Sequence, residues 1–103
     1  MTGTEKQIAY ATSEVMETAK SLKADEATCK EYLDTVNAGW LLDHGANWVS
    51  IILALTYIPR IPAYLATIPS EQHAAFFAEC EKRFGDAKVD KNLWAKFEAL
   101  KTA

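Results

Sequence analysis

Between Trp48 and Ile68 the chain carries the unbroken apolar run Ile51-Ile52-Leu53-Ala54-Leu55, then Ile58-Pro59-Arg60-Ile61-Pro62 and finally Ile68-Pro69. Over about three helical turns no polar face is visible, so this helix has to be enclosed by others, which points to an all-α fold. Proline lacks the amide donor and its ring clashes with the preceding turn, so Pro59 and Pro62 are expected to stop the helix and bend the chain sharply. A membrane span is not favoured. The longest stretch without a charged residue or a histidine, Gly45 to Pro59, is 15 residues, short of the roughly 20 needed, and Arg60 and two prolines interrupt its continuation.

Other helices follow from periodicity and end signals. The first is expected from just after Thr4 to about Leu22, with Ile8, Ala11, Val15, Ala19 and Leu22 inward. Asp25 suits the N-cap of a second, whose stripe Cys29, Tyr32, Leu33, Val36 and Trp40 is weakened or ended at Gly39. Leu41 to Asn47 should form a turn, with Asn47 or a neighbour capping the buried helix. Pro62 suits the start of a short helix over 63–68, and Pro69-Ser70-Glu71 opens one whose face is Phe76, Phe77, Cys80 and Phe84. Gly85 should be its left-handed cap. Asp90 caps the last helix, where Val89 and Trp94 have staple spacing and Leu93, Trp94, Phe97 and Leu100 face inward. With no strand signal, the expected architecture is a compact irregular or orthogonal bundle of five to six helices, one of them short. Half of the 103 residues are hydrophobic, enough for a single domain, residues 1–103, to build its core without metal or disulfide staples.

Charge excludes more than it suggests. The formal net charge is −3, and residues 1–44 hold eight acids against four lysines while residues 45–103 hold six acids against seven bases. The acidic surface therefore belongs to the first two helices. Lys82, Arg83, Lys88, Lys91, Lys96 and Lys101 crowd the C-terminal quarter, but Glu79, Glu81, Asp86, Asp90 and Glu98 are interleaved, so no phosphate-tracking stripe forms and nucleic acid is not an expected partner. The opening Met-Thr-Gly-Thr-Glu-Lys-Gln has no basic leader followed by an apolar core, and a cytoplasmic location is the expectation.

Catalytic constellations are sparse. Asp43-His44 invites a dyad, yet neighbours on a helix do not face each other, and a turn histidine at a helix end is the simpler reading. His73 and Cys80 stand seven residues apart, about 10 Å along a helix, too far for a nucleophile and its base. Cys29, Cys80, His44 and His73 lack the paired spacing of a zinc site, and Leu41 and Ser70 occupy the positions where a di-iron bundle would need glutamates. The thiols are expected reduced and buried, and no catalytic or metal residue is assigned.

The aromatic load remains. Trp48, Tyr57 and Tyr64 carry polar atoms that want partners, and Arg60 lies between two prolines in an apolar segment. Residues of these types anchor interfaces and line pocket rims. The leading expectation is a non-enzymatic protein–protein interaction module, a regulator, inhibitor or homo-oligomerising adaptor, using Arg60, Tyr64, Tyr57 and Trp48. The alternative is a bundle binding a small apolar ligand or cofactor near Trp48, Tyr57, Tyr64 and Phe77, with His44 as polar contact.

Overall fold

Helix α1, Glu5–Ser21, begins where two side chains satisfy each other's backbone: Gln7 N–H donates to Thr4 Oγ1 and Thr4 N–H to Gln7 Oε1, each at 3.1 Å. This reciprocal pair is a capping box. Ala11, Val15 and Ala19, four apart, are buried along one face. At the other end Lys23 takes a left-handed conformation, φ 54°, and the amides of Lys23 and Ala24 return to the carbonyls of Lys20 and Ala19. Leu22, expected inward, is carried out to solvent by this reversal. The structure, a computed structural model, describes residues 1–102.

Asp25 caps α2, Glu26–Leu33, accepting from the amides of Ala27 and Thr28 and from the Thr28 hydroxyl. The expected stripe from Cys29 to Trp40 does not run through one helix. The chain leaves helical geometry after Leu33, and α3, Ala38–Asp43, starts afresh with Asn37 Oδ1 accepting the Trp40 amide at 2.9 Å. The cause is remote in sequence. Thr2 donates its amide to the Val36 carbonyl, accepts from the Ala38 amide and bonds the Asn37 side chain through its hydroxyl, taking backbone groups that a continuous helix would use itself. Gly39 therefore lies inside α3, where an added Cβ would stand 3.2 Å from Asn37 Oδ1.

A short 3₁₀ turn, Gly45–Asn47, leads into α4, Trp48–Tyr57, whose Ile51, Ile52, Ala54, Leu55 and Thr56 are buried. Asn47 makes no side-chain cap. α4 ends at Tyr57, two residues before Pro59 as expected, but the chain stays right-handed helical. A 3₁₀ turn, Ile58–Arg60, carries the chain into α5, Ile61–Leu65, with Ile58, Arg60 and Ile61 all right-handed helical. Pro59 and Pro62 each sit in the first turn of the segment they open, where an amide donor is not needed. The Ile61 amide bonds Ile58 O, three residues back, keeping the run continuous. Gly45–Leu65 is thus a 21-residue run long and apolar enough, by length and composition alone, to cross a membrane. Its Ile51, Ile52, Ala54, Leu55, Ile58 and Ile61 are nevertheless packed inside the protein, while Val49, Tyr57 and Tyr64 stay exposed.

A 3₁₀ turn, Ser70–Gln72, opens α6, His73–Phe84, and another, Gly85–Val89, leads to α7, Lys91–Lys101, capped by Asp90. Gly85 is right-handed, φ −59°, not the left-handed cap expected, and a Cβ there would meet nothing within 4 Å. The two termini thus hold each other's residue. Lys23→Gly should stabilise the fold by a few tenths to about 1 kcal/mol by relieving a left-handed side chain. Gly85→Ala should add about 0.4–1 kcal/mol by stiffening the unfolded chain. Urea unfolding of each variant is the check.

With α4 and α5 in one run, the chain forms an all-α bundle of six helical bodies, with no strand among the described residues. Phe77, Phe84 and Phe97 meet edge-to-face at centroid distances of 5.4–5.7 Å in the core under α4. Cys29 and Cys80 are buried free thiols. The molecule measures 48 × 24 × 20 Å.

Candidate functional site

After α5 the chain reverses through Ala66–Pro69, so that α6 returns beside the α4–α5 run. Between them lies a groove of about 770 Å³ with Tyr57, Arg60, Ile61, Tyr64 and Ile68 on one wall and Gln72, Ala75, Phe76, Glu79 and Arg83 on the other. Cys80 and Phe84 form its floor, both nearly closed to solvent. Aromatic contacts tie the walls together. The Tyr64 ring lies 4.7 Å from that of Phe76, and Tyr57 stacks 6.4 Å from Phe84 with 13° between planes. Above Tyr57 sits the Arg83 guanidinium, 5.9 Å from the ring centroid. The groove is nevertheless unfilled: Tyr57 and Tyr64 remain 37% and 48% exposed.

Its electrostatics are unusual for this chain. Arg60 and Arg83 are the only arginines in the sequence, and both line this groove. Neither joins an ion pair among the described residues, whereas Glu79, the groove's acid, is 3.5 Å from Lys82. Arginine presents a planar, weakly hydrated fork of donors suited to carboxylates. Burial pushes the Cys80 thiol up, Arg83 pulls the other way, and Glu79 and Glu81 push up again. A thiol held protonated is no nucleophile.

Three of the five candidate residues, Tyr57, Arg60 and Tyr64, therefore share one site. Trp48 and His44 do not belong to it. Trp48 stands nine residues before Tyr57, about 14 Å along the helix, and its indole N–H donates to the Leu41 carbonyl at 2.9 Å. His44 Nδ1–H donates to the Trp40 carbonyl at 2.8 Å, and its ring stacks 4.4 Å from that of Trp40. Trp48 locks the α3–α4 corner, and His44 closes the C-terminal end of α3. The pocket expected around Trp48, Tyr57, Tyr64 and Phe77 does not form as one, because Phe77 faces a second depression on the other side of α6 with Pro62, His73 and Leu100. There His73 Nε2–H donates to Leu65 O at 3.1 Å, strapping α5 to α6, and an ion pair between Lys101 and Glu81 spans the rim.

Arg83, Phe76 and Ile68 are not among the site residues expected from the sequence. The signal available was the spacing: 57, 61, 64, 68 on one wall and 72, 76, 79, 83 on the other, both in steps of four, three and four. No group of three or more His, Cys, Asp or Glu among the described residues is placed to hold a metal. Compared with known protein families, curated proteins and solved structures, the chain matches none. The groove presents aromatic surface, a small residue at Ala75 and two arginines without an ion pair among the described residues.

Proposed function

We propose that this chain is a non-enzymatic, cytoplasmic interaction module that docks a protein partner in the groove between α4–α5 and α6. One observation carries the reading: the only two arginines and two of the four tyrosines stand together on an unfilled groove. Tyrosine and arginine are the residue types that dominate binding energy at interfaces. Exposed contiguous apolar surface with a polar rim is also the usual mark of such a site.

Arg60→Glu combined with Tyr64→Ala should weaken partner binding by at least about tenfold, with a fall in melting temperature of no more than a few degrees, the cost of the partly exposed Tyr64–Phe76 ring contact. Intact binding of a partner by the double variant contradicts this surface. A second reading, a small apolar ligand in the same groove, draws support from its aromatic floor. Native mass spectrometry separates the two, since a ligand leaves extra mass that is lost on denaturation.

A further inference from the structure

We propose that the segment received by the groove is an acidic amphipathic α-helix of about three turns from another protein, its carboxylates concentrated in one turn. This rests on the docking reading above and adds the chemistry of the partner.

Geometry supplies the helix. Tyr57, Ile61, Tyr64 and Ile68 recur at steps of four, three and four along one wall, and Gln72, Phe76, Glu79 and Arg83 do the same along the other. Such spacing is the stripe a helix presents to another helix. Two stripes face a common groove, and no third helix of this chain lies in it. The stretch from Gln72 to Arg83 spans about 17 Å at 1.5 Å per residue, which matches about eleven residues of a docked helix.

Charge supplies the acid and its position. Arg83 lies over Tyr57 and Arg60 follows Tyr57 by three residues on the opposite wall, so both arginines, with Glu79 one turn from Arg83, belong to the same half of the groove, and Arg60 also acts on the Asp25 carboxylate. Neither has an ion-pair partner among the described residues, and Glu79 is already beside Lys82. The end formed by Tyr64, Ile68 and Phe76 carries no formal charge. A complementary helix therefore puts apolar side chains against Tyr64 and Phe76 and two or more carboxylates within reach of Arg60 and Arg83. A second copy fits less well. Symmetric pairing through the groove would gather four arginines against two glutamates already engaged by lysine. The acidic helix α1 has its apolar face, Ala11, Val15 and Ala19, committed to the core.

The test uses the full chain and three synthetic 14-residue helical peptides sharing one leucine stripe, their remaining polar positions filled by Glu, Gln or Lys. Fluorescence anisotropy at low salt should rank them Glu, Gln, Lys, with the Glu peptide on the order of tenfold tighter than the Lys peptide. Raising the salt should shrink that gap. Arg60→Glu with Arg83→Glu should reverse the order. Equal affinity for all three, lost together in Tyr64→Ala, overturns the acidic partner and leaves the docking reading standing. Binding by none, or binding that ignores Tyr64→Ala, overturns both. A doubled mass that dissociates on adding peptide assigns the groove to a second copy instead and overturns the proposal.

Discussion

Phe97→Ala is expected to lower the free energy of unfolding by about 3–5 kcal/mol, the usual cost of emptying an aromatic site in a core. Phe97 is fully buried and its ring centroid lies 4.6 Å from Trp94, 5.4 Å from Phe84 and 5.7 Å from Phe77. Its contacts with Phe77 and Phe84 join α7 to α6. The loss combines transfer of a phenyl group to water with a cavity that surrounding rings, fixed on α6 and α7, fill poorly. A domain of this size has a total stability of about 5–15 kcal/mol, so the variant should be close to unfolding at 37 °C. Thermal melting followed by circular dichroism should show the midpoint falling by about 15–30 °C. A fall of only a few degrees would mean that the aromatic cluster is not what holds α7 to the body.

Asp90→Ala should cost about 2–4 kcal/mol, because one carboxylate serves two elements. Its Oδ1 accepts the Leu93 amide at 3.1 Å, capping α7, and its Oδ2 accepts the Tyr32 hydroxyl of α2 at 2.6 Å. Alanine removes the cap and strands a half-buried phenol. Tyr32→Phe removes the donor as well as the bond and should cost less, about 1 kcal/mol. The pair also makes a pH signature. Burial first, then the hydrogen bond and negative charge of Asp90, push the Tyr32 hydroxyl above the ordinary phenol range. The unfolded chain therefore releases this proton before the folded one does. Stability from Tyr32 is complete below pH 10, its ordinary value, and declines as pH rises beyond it. Urea titrations at pH 9 and above should show that decline in the natural chain and a flatter profile in Tyr32→Phe.

What could be seen in the sequence was what local chemistry decides. Thr4, Asp25 and Asp90 are each the cap their side chains suggest, since an N-cap needs only residues within one turn. The break between α2 and α3 had a local sign in Asn37, which caps α3, and a remote part in Thr2, whose backbone takes the Val36 carbonyl and the Ala38 amide from about 35 residues away. At Pro59 the local rule held in part: α4 ends at Tyr57, but both prolines open segments in which their amide has no role, so the helical run continues. Gly85 had the right residue type for a left-handed cap, yet the following 3₁₀ turn keeps it right-handed. The site divides along the same line. Tyr57, Arg60 and Tyr64 stand out from one stretch of sequence. Arg83 and Phe76 join them only once α6 folds back, and Trp48 and His44 are taken up by carbonyls of α3.

Amide hydrogen exchange of the chain with and without the glutamate-bearing peptide tests the central claim most directly, because it reports where backbone opening is suppressed. Docking in the groove predicts slowed exchange confined to residues 57–68 and 72–84, with α1 and α2 unchanged. Slowing along residues 5–33 with none in the groove would contradict it.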